Sequence, residues 1–281
     1  MKTFVVAPDR SRIPFEFLKG FCMKGCEVHF LEGESRAEID LQIRNILAFV
    51  PEVFFLCCID SRIPDLDWTA WIETTEKTWN GRIHFGILYN REHSQSTIQD
   101  FFYHFRANGT HGRPFLPLDV CPYRNLFSLA NMLESLRVNG SRSVLRARGG
   151  TSSSVKILAD SKVHAAEVFD ISITHLSCYL PDEWTAVTQN TVCQIECLLD
   201  REPLYFNGKL AHKRNTSDGV LYVFAIMDVT GLKGFFPEAV VKLNSFVYER
   251  CSREIWNADL TGSEYQKKAR ISGDSVRVSV L

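Results

Sequence analysis

An excess of positive or of negative charge is missing from this sequence. Across 281 residues, 32 Lys and Arg face 33 Asp and Glu, for a formal net charge of −1. Bulk binding to nucleic acid needs a basic footprint, so that class is disfavoured. A small anion held by a few arginines stays compatible. Long apolar runs are missing too. The longest, residues 46–59, contains Pro51 and Glu52 and falls short of the roughly 20 residues that a spanning helix needs. No apolar signal segment follows Met1-Lys2; a short strand-like run leads straight to Pro8-Asp9-Arg10. The expectation is a soluble cytoplasmic protein without membrane insertion.

Metal and nucleotide motifs are equally scarce. The nine cysteines stand at 22, 26, 57, 58, 121, 178, 193, 197 and 251. No C-x-x-C pair occurs with a second pair to complete a zinc site, and no histidine follows Cys22/Cys26 or Cys193/Cys197 at a ligand spacing. They read as reduced structural thiols, and no metal or cofactor is expected. No G-x-G-x-x-G follows the first strand, and no G-x-x-x-x-G-K-[ST] occurs, which speaks against a Rossmann dehydrogenase or a P-loop enzyme. No nucleophile with a positioned base and no paired carboxylates stand out. The chain is expected to bind, not to catalyse.

What is present comes in two rhythms. Up to residue 138, apolar strands (3–6, 28–31, 53–59, 83–88, 115–120) alternate with helical periodicities. Ser35-Arg36-Ala37-Glu38 is a capping box for one helix, and Pro51 ends it. Five such alternations predict a parallel sheet covered on both faces, in a flavodoxin-like doubly wound domain over 1–138. In architecture it resembles a response-regulator receiver. The receiver's chemistry is not there: Asp9 alone stands near the acidic pair, Cys57 occupies the phospho-accepting position, Asp60 lies three residues late, and Leu116-Pro117-Leu118 replaces the lysine-proline turn. The resemblance therefore implies a pseudo-receiver, with no seat for Mg²⁺ and a phosphoryl group.

Over 139–281, short strands (155–158, 163–169, 176–179, 192–199, 204–211, 221–227) recur about every ten residues. Turn signals separate them at Asp160-Ser161, Pro181-Asp182, Glu202-Pro203 and Ser217-Asp218-Gly219. Six of them predict a small antiparallel barrel. Pro237, at N1, opens a helix to about Trp256, with Val240, Val241, Leu243, Val247, Cys251 and Ile255 as its apolar stripe. Val276, Val278 and Val280 alternate in the tail, as an edge strand would.

Arg142 and Arg146 form an R-x-x-x-R. About twenty-five residues on, Asp170-Ile171-Ser172-Ile173-Thr174-His175 follows. This resembles the PilZ family of cyclic di-GMP receptors, R-x-x-x-R before D-x-S-x-x-G, with His175 in the glycine's place. An α/β domain running into the arginine motif is also similar to the layout of spirochaete PilZ proteins. The resemblance implies a six-stranded barrel closed by the C-terminal helix. It also implies cyclic di-GMP as ligand, bound by Arg142, Arg146, Asp170, Ser172 and His175.

The residue types suit that ligand. An arginine fork is bidentate to guanine O6/N7 and to phosphate oxygens, and a carboxylate accepts from the guanine N1–H and N2–H₂ edge. Ser172 adds a hydroxyl or fixes the turn. The family's glycine permits φ > 0; a left-handed histidine there would cost about 1–2 kcal/mol, and its ring would crowd the ligand or stack on it. Arg148 reads as exposed, with an extra phosphate contact as the alternative. Taken singly, two arginines four apart are usually a solvated face, and D-x-S is usually a capped turn. The combination implies a non-enzymatic cyclic di-GMP effector, in which ordering of the interdomain arginine segment acts on a protein partner. The alternative is a degenerate PilZ protein that no longer binds nucleotide and serves as a protein-interaction module.

Overall fold

A strand that is apolar on both sides needs a layer above it and a layer below. The first half of the chain meets that demand with helices. In the computed structural model, which describes residues 1–92, 95–107, 113–138, 144–150, 152–159, 161–180, 184, 188–227 and 237–256, the order begins β1 (Lys2–Val6), α1 (Glu16–Cys22), β2 (Val28–Leu31), α2 (Arg36–Phe49) and β3 (Val53–Cys58). It continues with α3 (Trp68–Thr78), β4 (Ile83–Asn90), α4 (Gln95–Ala107), β5 (Phe115–Leu118) and α5 (Pro122–Ser135). The five strands run parallel in the order β2-β1-β3-β4-β5, the flavodoxin-like order. β3 is central, and all six of its residues are buried. Ser35 caps α2 by accepting the Glu38 amide at 3.3 Å, and the return bond of the expected capping box is shifted by one residue: the Glu38 carboxylate accepts the Glu34 amide at 2.9 Å.

The second half is a closed barrel. β6 (Ala147–Arg148), β7 (Ser154–Ala159), β8 (Lys162–Ile171), β9 (His175–Tyr179), β10 (Val192–Leu199), β11 (Glu202–Thr216) and β12 (Gly219–Met227) precede α6 (Pro237–Trp256). The antiparallel ring β8-β7-β10-β11-β12-β9 closes through a β8–β9 pairing. β6 pairs with β8 at Asp170 and Ile171, beyond the stretch that β7 occupies. Burial alternates along β7 and β10, as a sheet with one wet face requires. Leu243, Phe246, Val247 and Cys251 of α6 join the barrel core. No helix among the described residues is long and apolar enough to cross a membrane.

Two expectations need correction. The turn assigned to Glu202-Pro203 lies one step earlier. Asp200 and Arg201 take φ of 46° and 75°, and Glu202 and Pro203 already pair with Leu199 and Leu198. A two-residue hairpin with positive φ at both positions matches the twist of its strands, and proline is tolerated at a strand's start. The α6 stripe also needs revision, because Val241 is 66% exposed. The helix has a second buried face instead. Tyr248 joins the core beside α1, packing edge-on to Phe15 at 5.8 Å and stacked on His29 at 5.9 Å. Trp256 meets Phe4 at 6.4 Å, and Lys19 donates to Ser245 Oγ at 3.3 Å. α6 thus packs on the barrel with one face and on α1, Phe4 and His29 of the α/β half with the other. Burial works to raise the Glu27 pKa. The His29 hydrogen bond and the Lys2 charge prevail and draw it down to about 2.

Candidate ligand-binding site

The arginine segment enters the barrel rim with alternating burial. Leu145 packs against the cores and Ala147 is buried, while Arg146 is partly exposed and Arg148 exposed. An extended chain sends alternate side chains to opposite sides, so Arg146 and Arg148 share the outer side. Gly149 makes the crossing possible. Its amide donates to the Phe169 carbonyl at 3.0 Å, and a Cβ there would stand 2.0 Å from the Val168 carbonyl oxygen. From the other side, Cys251 Sγ of α6 lies 3.8 Å from the Arg146 carbonyl oxygen.

Asp170 sits near the end of β8, just after a bulge at Phe169, and pairs with Arg148 on one edge and Ser177 on the other. Arg146 Nη1 lies 3.4 and 3.5 Å from its two carboxylate oxygens. Those distances are long beside the 2.7–2.9 Å usual for a charge-assisted bond. Side-chain exposures of 28% and 17% leave both partners within reach of solvent.

Ser172 is fully buried, and its hydroxyl is engaged in the turn between β8 and β9. Its Oγ accepts the His175 amide at 3.1 Å and the Thr174 amide at 3.3 Å. Its own amide donates to the His175 carbonyl at 2.8 Å. The turn is thus closed by serine, and His175 is not strained. It opens β9 in register with Ala225 and is not among the residues with positive φ. The expected left-handed cost falls away, because the chain has already re-entered a strand at this position. The imidazole Nδ1 lies 2.9 Å from Thr174 Oγ1. Burial, helped by the Arg146 charge and opposed by Asp170, lowers the His175 pKa. Arg146, Asp170 and His175 therefore share one electrostatic neighbourhood. Arg142 lies outside the described residues. Arg148, read from the sequence as exposed with an extra phosphate contact as the alternative, is exposed and stands opposite Asp170 in register.

The strand ends of the α/β half also collect polar groups. Asp9 accepts the Ser11 amide at 2.9 Å and its hydroxyl at 2.6 Å. Asp60 accepts the Asn90 amide. Cys57 is fully buried, and burial pushes its thiol pKa well up. Among the described residues no group of three or more His, Cys, Asp or Glu is placed to hold a metal ion.

No family model and no curated protein sequence matches this chain. Among solved structures it is similar to the inhibitor of motility MotI (DgrA) of Bacillus subtilis, with 12% identity over 40% of this chain and 52% of the other, at a TM-score of 0.34. It is similar to the PilZ domain of Escherichia coli YcgR, determined with cyclic di-GMP, with 15% identity over 43% of this chain and 98% of that domain, at a TM-score of 0.35. A third likeness is to the PlzA protein of Borreliella burgdorferi in complex with cyclic di-GMP, with 10% identity over 44% and 58% of the two chains, at a TM-score of 0.28. This chain spans about half the length of the first of these.

Proposed function

We propose that this chain is a PilZ-type cyclic di-GMP effector without catalytic activity, acting in the cytoplasm. The reading divides it into a pseudo-receiver domain over 1–138 and a ligand-binding barrel domain over 139–281. The observation that carries it is the convergence of Arg146, Asp170 and His175 on one rim. The first two lie 24 residues apart in sequence and 3.4 Å apart in space. In this reading Arg146 and Arg142 take guanine edges and phosphates, and Asp170 accepts from a guanine N1–H and N2–H₂ edge. Ser172 acts by holding the turn rather than by touching the ligand.

Coupling to a protein partner follows the same path. The arginine segment rests on α6 through Cys251, and α6 rests on the α/β half through Tyr248. A ligand that draws Arg146 away from Asp170 changes what α6 presses against, and a partner reads the result on the α/β half.

A second reading, a degenerate module that binds only protein, is favoured by one observation. Arg146 and Asp170 already pair with each other beside a histidine in the glycine's position. Calorimetric titration of the full chain with cyclic di-GMP separates the two. Saturable heat at micromolar protein, falling with added salt, supports the effector; no heat leaves the interaction module.

A further inference from the structure

We infer that Arg148, outside the R-x-x-x-R and D-x-S-x-x-G pattern, is a further ligand arginine and supplies the cation that meets a phosphate of the dinucleotide. The inference rests on the cyclic di-GMP reading. Arg148 stands directly opposite Asp170 in the β6–β8 register, and Arg146 approaches the same carboxylate from the diagonal position. Cross-strand neighbours of both kinds lie within reach of long side chains.

The two arginines are not equally free. Arg146 is half-committed to Asp170. Arg148 is exposed and forms no ion pair within 4 Å among the described residues. Its guanidinium carbon lies 5.8 Å from the centre of the Phe169 ring, inside the range of a cation–π contact. Its charge is felt by Glu254 of α6, and the residue is exposed. Gly149 brings the backbone immediately after it against the Val168 carbonyl, so the strand that carries Arg148 is held beside Asp170.

Charge balance points the same way. Cyclic di-GMP brings two phosphates, each with one negative charge, to a rim that already holds the Asp170 carboxylate. Arg146 and Asp170 offset each other, so Arg148 brings the rim a positive charge that Asp170 does not already hold. A fork donor is suited to a phosphate oxygen pair in a way a lysine point charge is not.

The test is calorimetry with cyclic di-GMP at low and high salt, on wild type, Arg148→Gln and Arg148→Lys. Loss of a charge-assisted contact is expected to weaken Arg148→Gln about tenfold and to flatten its salt dependence. Arg148→Lys should keep the wild-type salt dependence and recover part of the affinity. If Arg148→Gln binds like wild type at both salts, the inference falls and the cyclic di-GMP reading stands. The inference also falls if the two variants weaken equally with unchanged salt dependence, because the side chain's role is then structural. If wild type itself does not bind, both readings fall together.

Discussion

Two places in this molecule gather charged and polar groups, and they hold them differently. At the strand ends of the α/β half, partners are close. Asp9 is folded onto Ser11 at 2.6 and 2.9 Å, Asp60 takes the Asn90 amide, and Arg12 meets Glu92 at 2.6 Å. At the barrel rim the Arg146–Asp170 pair is slack, at 3.4–3.5 Å, and Arg148 has no ion-pair partner among the described residues. A partly exposed ion pair holds only about 0–1 kcal/mol. A bidentate arginine–guanine pair carries about 1–3 kcal/mol of discrimination. On the cyclic di-GMP reading, little is therefore lost when Arg146 gives up Asp170 for a guanine. At the strand ends a ligand would first have to break good hydrogen bonds. An acidic residue marks a site only when its partners can be given up.

The largest effect should come from the joint between the two regions. Tyr248 is only 4% exposed and packs on Phe15 and His29. Removing a buried aromatic typically costs about 3–5 kcal/mol. Tyr248→Ala should lose stability of that order in denaturant unfolding, while Val241→Ala, on the exposed side of the same helix, should change it by no more than about 0.5 kcal/mol. Equal small losses would show that α6 does not bind the α/β half, and the path from rim to partner would be lost.

Next in size is the rim itself. Arg146→Ala and Asp170→Ala should each weaken cyclic di-GMP by roughly ten- to a hundredfold, at about 1.4 kcal/mol per factor of ten. Asp60→Asn should leave the affinity unchanged. If all three variants titrate alike, the contrast between the regions has no functional content.

A smaller effect concerns the histidine. Because His175 opens a strand and has no positive φ, replacing it by glycine relieves no strain. His175→Gly should lower stability by about 0.5–1 kcal/mol, the ordinary cost of glycine in a strand. A gain of about 1–2 kcal/mol in thermal unfolding would mean that the residue is held left-handed after all.

The sequence was legible where one period governs a whole element. The six buried residues of β3 read as an unbroken apolar run, and the in-out alternation of β7 and β10 read as barrel strands. It was less legible where two demands overlap. The second face of α6 escaped notice because Asn244, Ser245 and Ser252 dilute it, and because a helix is usually assigned one apolar stripe. Pro203 drew the hairpin turn towards itself, although Asp200 and Arg201 make the turn without glycine. At the site, the family's glycine suggested a backbone demand at position 175. That demand is met locally by the Ser172 hydroxyl, which receives two amides. Arg148 read as exposed with a phosphate contact only as the alternative, because its register with Asp170 is a relation between strands that sequence spacing does not show.

The smallest expected effect is none at all, at the strand ends. Receivers respond to a phosphoryl donor through an aspartate, an acidic pair and Mg²⁺. Here the thiol of Cys57 is fully buried, in a position that cannot accept a stable acyl phosphate, and burial keeps it protonated. Asp60, three residues on, already receives the Asn90 amide across to β4, and Asp9 is closed onto its own turn. Among the described residues no group of three or more His, Cys, Asp or Glu is placed to hold a metal ion. Acetyl phosphate, or beryllofluoride with Mg²⁺, should therefore leave the amide spectrum of residues 1–138 unmoved, even at concentrations that saturate ordinary receivers. Mg²⁺-dependent shifts around Asp9, Asp60 and Asn90 would mean that those hydrogen bonds give way to a ligand. The strand ends would then be a second input site, and the rim could no longer be singled out by the slackness of its pair.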